Sequence, residues 1–139
     1  MKKKAQIKIK GLQVNGQTDD NIELITEGTY FKQDSGFVIQ YKESEITGME
    51  GTVTSISAED NVVTITRRGT VNNQFVFDQG KNMKSYYDTP YGSFLMNIIS
   101  KKVNVNLSEE GGNLNVVYNL NINGSNTGEN NLSLFVRIQ

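Results

Sequence analysis

Two charged residues stand where an apolar row should continue. Glu43 follows Phe37, Ile39 and Tyr41 at every second position, with Glu45 next in the same phase, and Arg67 follows Val63 and Ile65 in the same way. Residues two apart on a strand share a face, so both charges are expected to point inward, near one end of the apolar interior. A buried charge without a partner is costly, and these two suit each other. An arginine offers a planar fork that can hold a carboxylate with two bonds. The pair has two readings. It closes one end of the core as structure, the commoner fate of buried pairs, or it anchors the polar group of a ligand among apolar walls.

A second cluster is Tyr86-Tyr87-Asp88-Thr89-Pro90-Tyr91-Gly92. Tyrosines beside such a bend could line the mouth of a barrel and hydrogen-bond a ligand. Alternatively, Tyr87 fills the core while Pro90 and Gly92 shape a corner, a role that accounts for this composition by itself. The candidate ligand-binding residues are therefore Tyr41, Glu43, Arg67, Tyr87 and Thr89.

Catalysis finds little footing. The chain has no cysteine and no histidine, which removes thiolate zinc sites, cysteine nucleophiles, imidazole metal sites and every Ser-His pair. Paired carboxylates remain, Glu43 with Glu45 and Glu109 with Glu110. The second pair sits in a Glu-Glu-Gly-Gly turn, where solvation is expected, and no tryptophan is present to build a sugar cleft. No catalytic residue, metal ligand or cofactor is assigned, and the expectation is a protein that is not an enzyme.

The net charge of −1 comes from both signs mixed along the chain, unlike the basic excess of a nucleic-acid binder. Lys2-Lys3-Lys4 could open a signal peptide, but Gln6, Lys8 and Lys10 interrupt the apolar segment that would have to follow. No apolar run reaches membrane-spanning length. These features point to a cytoplasmic, soluble protein, a monomer or weak homodimer, with neither nucleic acid nor membrane as partner and a small molecule as its candidate ligand.

The elements that must position these residues are strands. Leu114, Val116, Tyr118, Leu120 and Ile122 alternate with Asn115, Val117, Asn119 and Asn121; Val103, Val105 and Leu107 repeat the pattern, as do Leu132, Leu134, Val136 and Ile138. Period two at this length means strands with one buried face. The first strand changes phase at Gly11, which predicts a bend there. Turns are expected at Asn15-Gly16 with Asp19-Asp20, at Asp34-Ser35-Gly36, at Glu59-Asp60-Asn61 and at Glu109 to Gly112, with a longer polar connection over 124–130. No segment shows helical periodicity. About eight to ten short strands at regular spacing signal an all-β, antiparallel, closed or nearly closed barrel, and 139 residues make one domain, 1–139.

The order of motifs resembles the YwiB-like family of small, uncharacterised bacterial proteins found mainly in Firmicutes. The resemblance rests on Tyr41-Lys42-Glu43-Ser44, Gly48, Gly51-Thr52, Arg67-Arg68-Gly69, Tyr87-Asp88-Thr89-Pro90-Tyr91-Gly92, Gly112 and Tyr118. It implies a lipocalin-like, calycin-type barrel and no established activity. Lipocalin-like folds often hold small apolar molecules, an analogy of fold alone. Two functions follow as expectations: a barrel that binds a small amphipathic or apolar ligand inside, or a filled barrel that acts as a structural or protein-interaction module.

Overall fold

The computed structural model describes residues 2–11, 13–14, 17–18, 23–89 and 92–139, with side chains for 2–11, 23–86, 92–126 and 128–139. The strands are β1 (Lys3–Lys10), β2 (Gln13–Val14), β3 (Gln17–Thr18), β4 (Glu23–Gln33), β5 (Gly36–Lys42), β6 (Thr52–Glu59), β7 (Val62–Gly69), β8 (Asn73–Asp78), β9 (Asn82–Thr89), β10 (Gly92–Ser108), β11 (Gly111–Ile122) and β12 (Ser125–Ile138). The only other regular element among the described residues is one turn of 3-10 helix, Glu45–Thr47. The turn expected at Asn15-Gly16 and Asp19-Asp20 and the Pro90-Tyr91 corner lie outside the described residues.

Ten strands form one antiparallel sheet in the order β8-β7-β6-β5-β4-β1-β12-β11-β10-β9, and β2 pairs with β3 alone. Neighbours in sequence are mostly neighbours in space, and β1 joins the two runs by pairing with both β4 and β12. The two edges, β8 and β9, are themselves joined by a tight turn, with Lys81 N donating to Asp78 O at 2.9 Å. The Ser85 hydroxyl bonds Gln74 O across this seam. The sheet is thus curled into a nearly closed barrel.

Alternation places one face of every long strand inside. Ile7, Ile39, Val63, Val116 and Leu134 are fully buried, and Tyr41, Ile65, Phe75, Phe77, Leu114, Tyr118, Leu120, Leu132 and Val136 are buried with them. Aromatic contacts brace the interior, Tyr30 stacked on Phe37 at 5.3 Å and Phe77 tilted against Tyr118 at 4.9 Å between ring centroids. Gly11 does mark the end of β1. Its φ is +77°, and a Cβ there would lie 1.8 Å from Asn131 O, so only glycine lets the chain turn against β12.

Two expectations are corrected, at 124–130 and at Glu45, and one strand holds an unexpected bulge. The stretch 124–130 is not a long polar connection. The turn is Asn123-Gly124, at φ 50° and 87°, and β12 begins at Ser125. This part of the β11–β12 hairpin projects beyond the apolar interior, so no alternation advertises it. The runs Phe94–Ile98 and Val103–Leu107 are halves of one strand, β10. A register shift between Ser100 and Lys102 moves the inward phase from even to odd positions, the signature of a bulge. Past it β10 bends across the barrel end. There Asn61 Nδ2 donates to Val103 O at 2.9 Å, Val103 N donates to Gln79 Oε1 at 3.0 Å, and Tyr30 Oη donates to Ser108 O at 2.7 Å. Finally, Glu45 does not continue the inward row of β5. It sits exposed on the 3-10 turn, because the chain leaves the strand after Lys42.

Candidate functional site

Inward positions at the opposite end are polar in a single register row. Tyr41 on β5 pairs with Thr54 on β6, Thr54 with Arg67 on β7, and Arg67 with Asn73 on β8. All four are buried. Four adjacent strands therefore place a polar belt above the apolar layers of the barrel. Gly28 on β4 ends the row beside Tyr41. A Cβ at Gly28 would lie 2.1 Å from Gln40 O, 2.8 Å from Ile7 Cδ1 and 3.0 Å from Tyr41 Cβ, so the missing side chain is what lets the β5 backbone and Tyr41 pack this closely.

Glu43 stands one step above the belt, its carboxylate buried completely. Thr54 Oγ1 donates to Oε2 at 2.6 Å and Thr47 Oγ1 donates to Oε1 at 3.2 Å. Its own amide donates to Thr52 O at 2.8 Å. The connection after β5 folds down over this group, with Thr47 and Met49 buried beneath it. Local sequence explains the descent. Ser44 caps the 3-10 turn by accepting from Ile46 N at 3.3 Å, and Gly48 ends it in the left-handed region at φ 76°. Thr52 Oγ1 accepts from Val71 N at 3.1 Å, which ties the next connection to the same lid of chain.

Arg67 meets Glu43 as expected, but not as a two-bonded fork. Its Nε lies 3.8 Å from Glu43 Oε2, beyond hydrogen-bond distance. The guanidinium lies over the Phe75 ring, 5.5 Å from its centroid. Nε is consequently buried with no hydrogen-bond partner, and so are Nδ2 and Oδ1 of Asn73 beside it. Leaving a buried polar atom unpaired costs about 1–3 kcal/mol. Elsewhere in the interior the Ser100 hydroxyl is also unpaired.

The surroundings hold the tyrosines neutral. Burial raises the Tyr41 hydroxyl far above its ordinary value, the Glu43 charge adds to that, and Arg67 opposes it. Burial pushes Tyr118 up to about 12, with Arg67 again pulling the other way. The belt offers charge held in place, hydroxyls that stay protonated, and unspent hydrogen-bonding capacity. No group of three metal-ligating side chains occurs among the described residues.

Of the candidate residues, Tyr41, Glu43 and Arg67 come together. Tyr87 and Thr89 lie on the last part of β9, which runs to this same end, and their side chains fall outside the described residues. The carboxylate pairs do not form sites: Glu45 is exposed away from Glu43, and Glu109 and Glu110 are exposed in their turn. Thr47, Thr54 and Asn73 complete the site without having been singled out by sequence, and Tyr118, marked there for its alternation and its place in the motif order, comes under the influence of Arg67. At the other barrel end, a shallow pocket of about 180 Å³ is lined by Lys3, Tyr30, Phe31, Lys32, Phe37 and Glu109. It holds none of the candidate residues and falls short of the roughly 300 Å³ usual for small-molecule pockets.

A family model described as a domain of unknown function (DUF1934) matches residues 7–134. Among solved structures, the crystal structure of ywiB protein from Bacillus subtilis matches with a TM-score of 0.83 at 18% identity, over 99% of this chain and 93% of that one. At that identity the likeness is one of fold. No curated protein matches the chain.

Proposed function

This chain belongs to the DUF1934 family, whose function is unknown, and from that premise we propose that it binds a small amphipathic ligand inside the barrel, polar group on the belt. One observation carries the reading: Arg67 Nε and both polar atoms of the Asn73 side chain are buried, adjacent and unpaired. Buried polar atoms in folded proteins nearly always have partners, and a ligand group supplies what the chain does not. Tyr41 and Glu43 hold Arg67 in position. Tyr87 and Thr89 belong to the proposed site by their place on β9. The cytoplasmic location and the non-enzymatic character expected from the sequence are part of the same proposal, as is the lipocalin-like kinship of the barrel.

A second reading, a filled barrel that serves as a structural or protein-interaction module, draws support from Glu43. Its carboxylate is fully enclosed and already takes two threonine hydroxyls, as a plug would. Native mass spectrometry of freshly purified protein separates the two. A retained mass that disappears in Asn73→Leu supports the binder. The bare chain mass, with crystallographic waters alone on Arg67 and Asn73, overturns it in favour of the plug.

A further inference from the structure

The unpaired atoms say more than that something is missing. Arg67 Nε carries one N–H, Asn73 Nδ2 carries two, and Asn73 Oδ1 is an acceptor. The two residues face each other directly across β7 and β8, so their side chains start about 5 Å apart on the inner face. Neither can satisfy itself locally. The Arg67 guanidinium is set between the Phe75 ring and the Glu43 carboxylate, and that carboxylate is taken up by Thr47 and Thr54. A complementary occupant therefore presents acceptor and donor side by side.

Charge narrows the choice further. Glu43 and Arg67 are the only charged residues buried among the described ones, and they already balance each other. A further anion would leave this enclosed end net negative, and a cation would face the guanidinium. Either would be stripped of water without a free counter-charge, which is costly. We propose that the belt takes a neutral group with a hydrogen-bond acceptor and donor side by side, a carboxamide or lactam. The proposal rests on the reading of the barrel as a binder and names the class of ligand it takes.

The test uses the intact chain and small probes: acetamide, 2-pyrrolidinone and, at matched ionic strength, acetate. Each is titrated while the Asn73 side-chain amide and Arg67 Nε–H resonances are followed by NMR. The expected result is saturable shifts with both neutral probes, at least tenfold tighter than with acetate. Asn73→Leu, close to isosteric, should abolish the shifts while the rest of the spectrum stays native. Arg67→Lys, which keeps the charge but loses Nε–H, should weaken the neutral probes several-fold. Acetate binding as tightly as acetamide overturns the neutral class and leaves the binder reading standing. Shifts from no probe, together with ordered water on all three atoms in a crystal structure, overturn both. Probe shifts unchanged in Asn73→Leu overturn the site.

Discussion

At the scale of single residues, the buried pair is a charge contact without a hydrogen bond between the partners. Arg67→Ala removes the one cation near the enclosed Glu43 carboxylate, and a destabilisation of about 3–5 kcal/mol is expected. Arg67→Met with Glu43→Leu should cost far less than the sum of the single changes, because no charge is stranded. Urea unfolding of the four proteins reads out the coupling, and a value near zero would show the 3.8 Å contact to be energetically idle. Tyrosine ionisation gives a second expectation. Tyr30 and Tyr118 are each raised by burial from 10.0 to about 12, and Tyr41 is raised further. The fold favours each neutral phenol, so this contribution to stability is whole below pH 10 and drains away as pH rises towards about 12. Tyrosinate absorbance from these three should appear only as the barrel unfolds. A gradual rise while the circular dichroism stays native would contradict their burial.

At the scale of elements, what could be read in advance depended on whether one strand carries its own signal. Glu43 and Arg67 were legible because each interrupts a row of apolar residues on its own strand. Thr54 and Asn73 were not, because threonine and asparagine fit either face of a strand. Only the register across β6, β7 and β8 shows them to be a row with Arg67. Glu45 was misplaced for a related reason: the period of two carries on past Lys42 in the sequence, whereas the backbone does not. The order of short motifs did locate the family, and the match over residues 7–134 agrees with it. The bulge in β10 was hidden because both flanking runs look like ordinary strands. Deleting Lys101 should leave Ile98, Ser100 and Val103 facing inward, since the extra residue is the one removed, yet take away the bend. Amide exchange is then expected to rise at Val103, whose N–H is held by Gln79, while β11 and β12 stay protected. Unchanged protection at Val103 would mean that the bend does not depend on the bulge.

At the scale of the molecule, the middle of the sheet joins strands far apart in sequence, for Ala5 pairs with Ile138. Such topology slows folding relative to local hairpins. A chain stopped after Asn123 should fail to form a monomeric barrel, since β1 and β11 would each keep an unpaired edge. Size-exclusion chromatography should show aggregates, and a well-behaved monomer would mean that the remaining strands close without β12. The same pairing has a consequence for synthesis on the ribosome. Strand β1 is made long before β12, the partner it pairs with. Hairpins β4–β5, β5–β6 and β6–β7 can form while translation proceeds, with β1 docked along β4. That leaves the other side of β1 open until β12 has been made, an interval in which one nascent chain offers an unpaired edge to another.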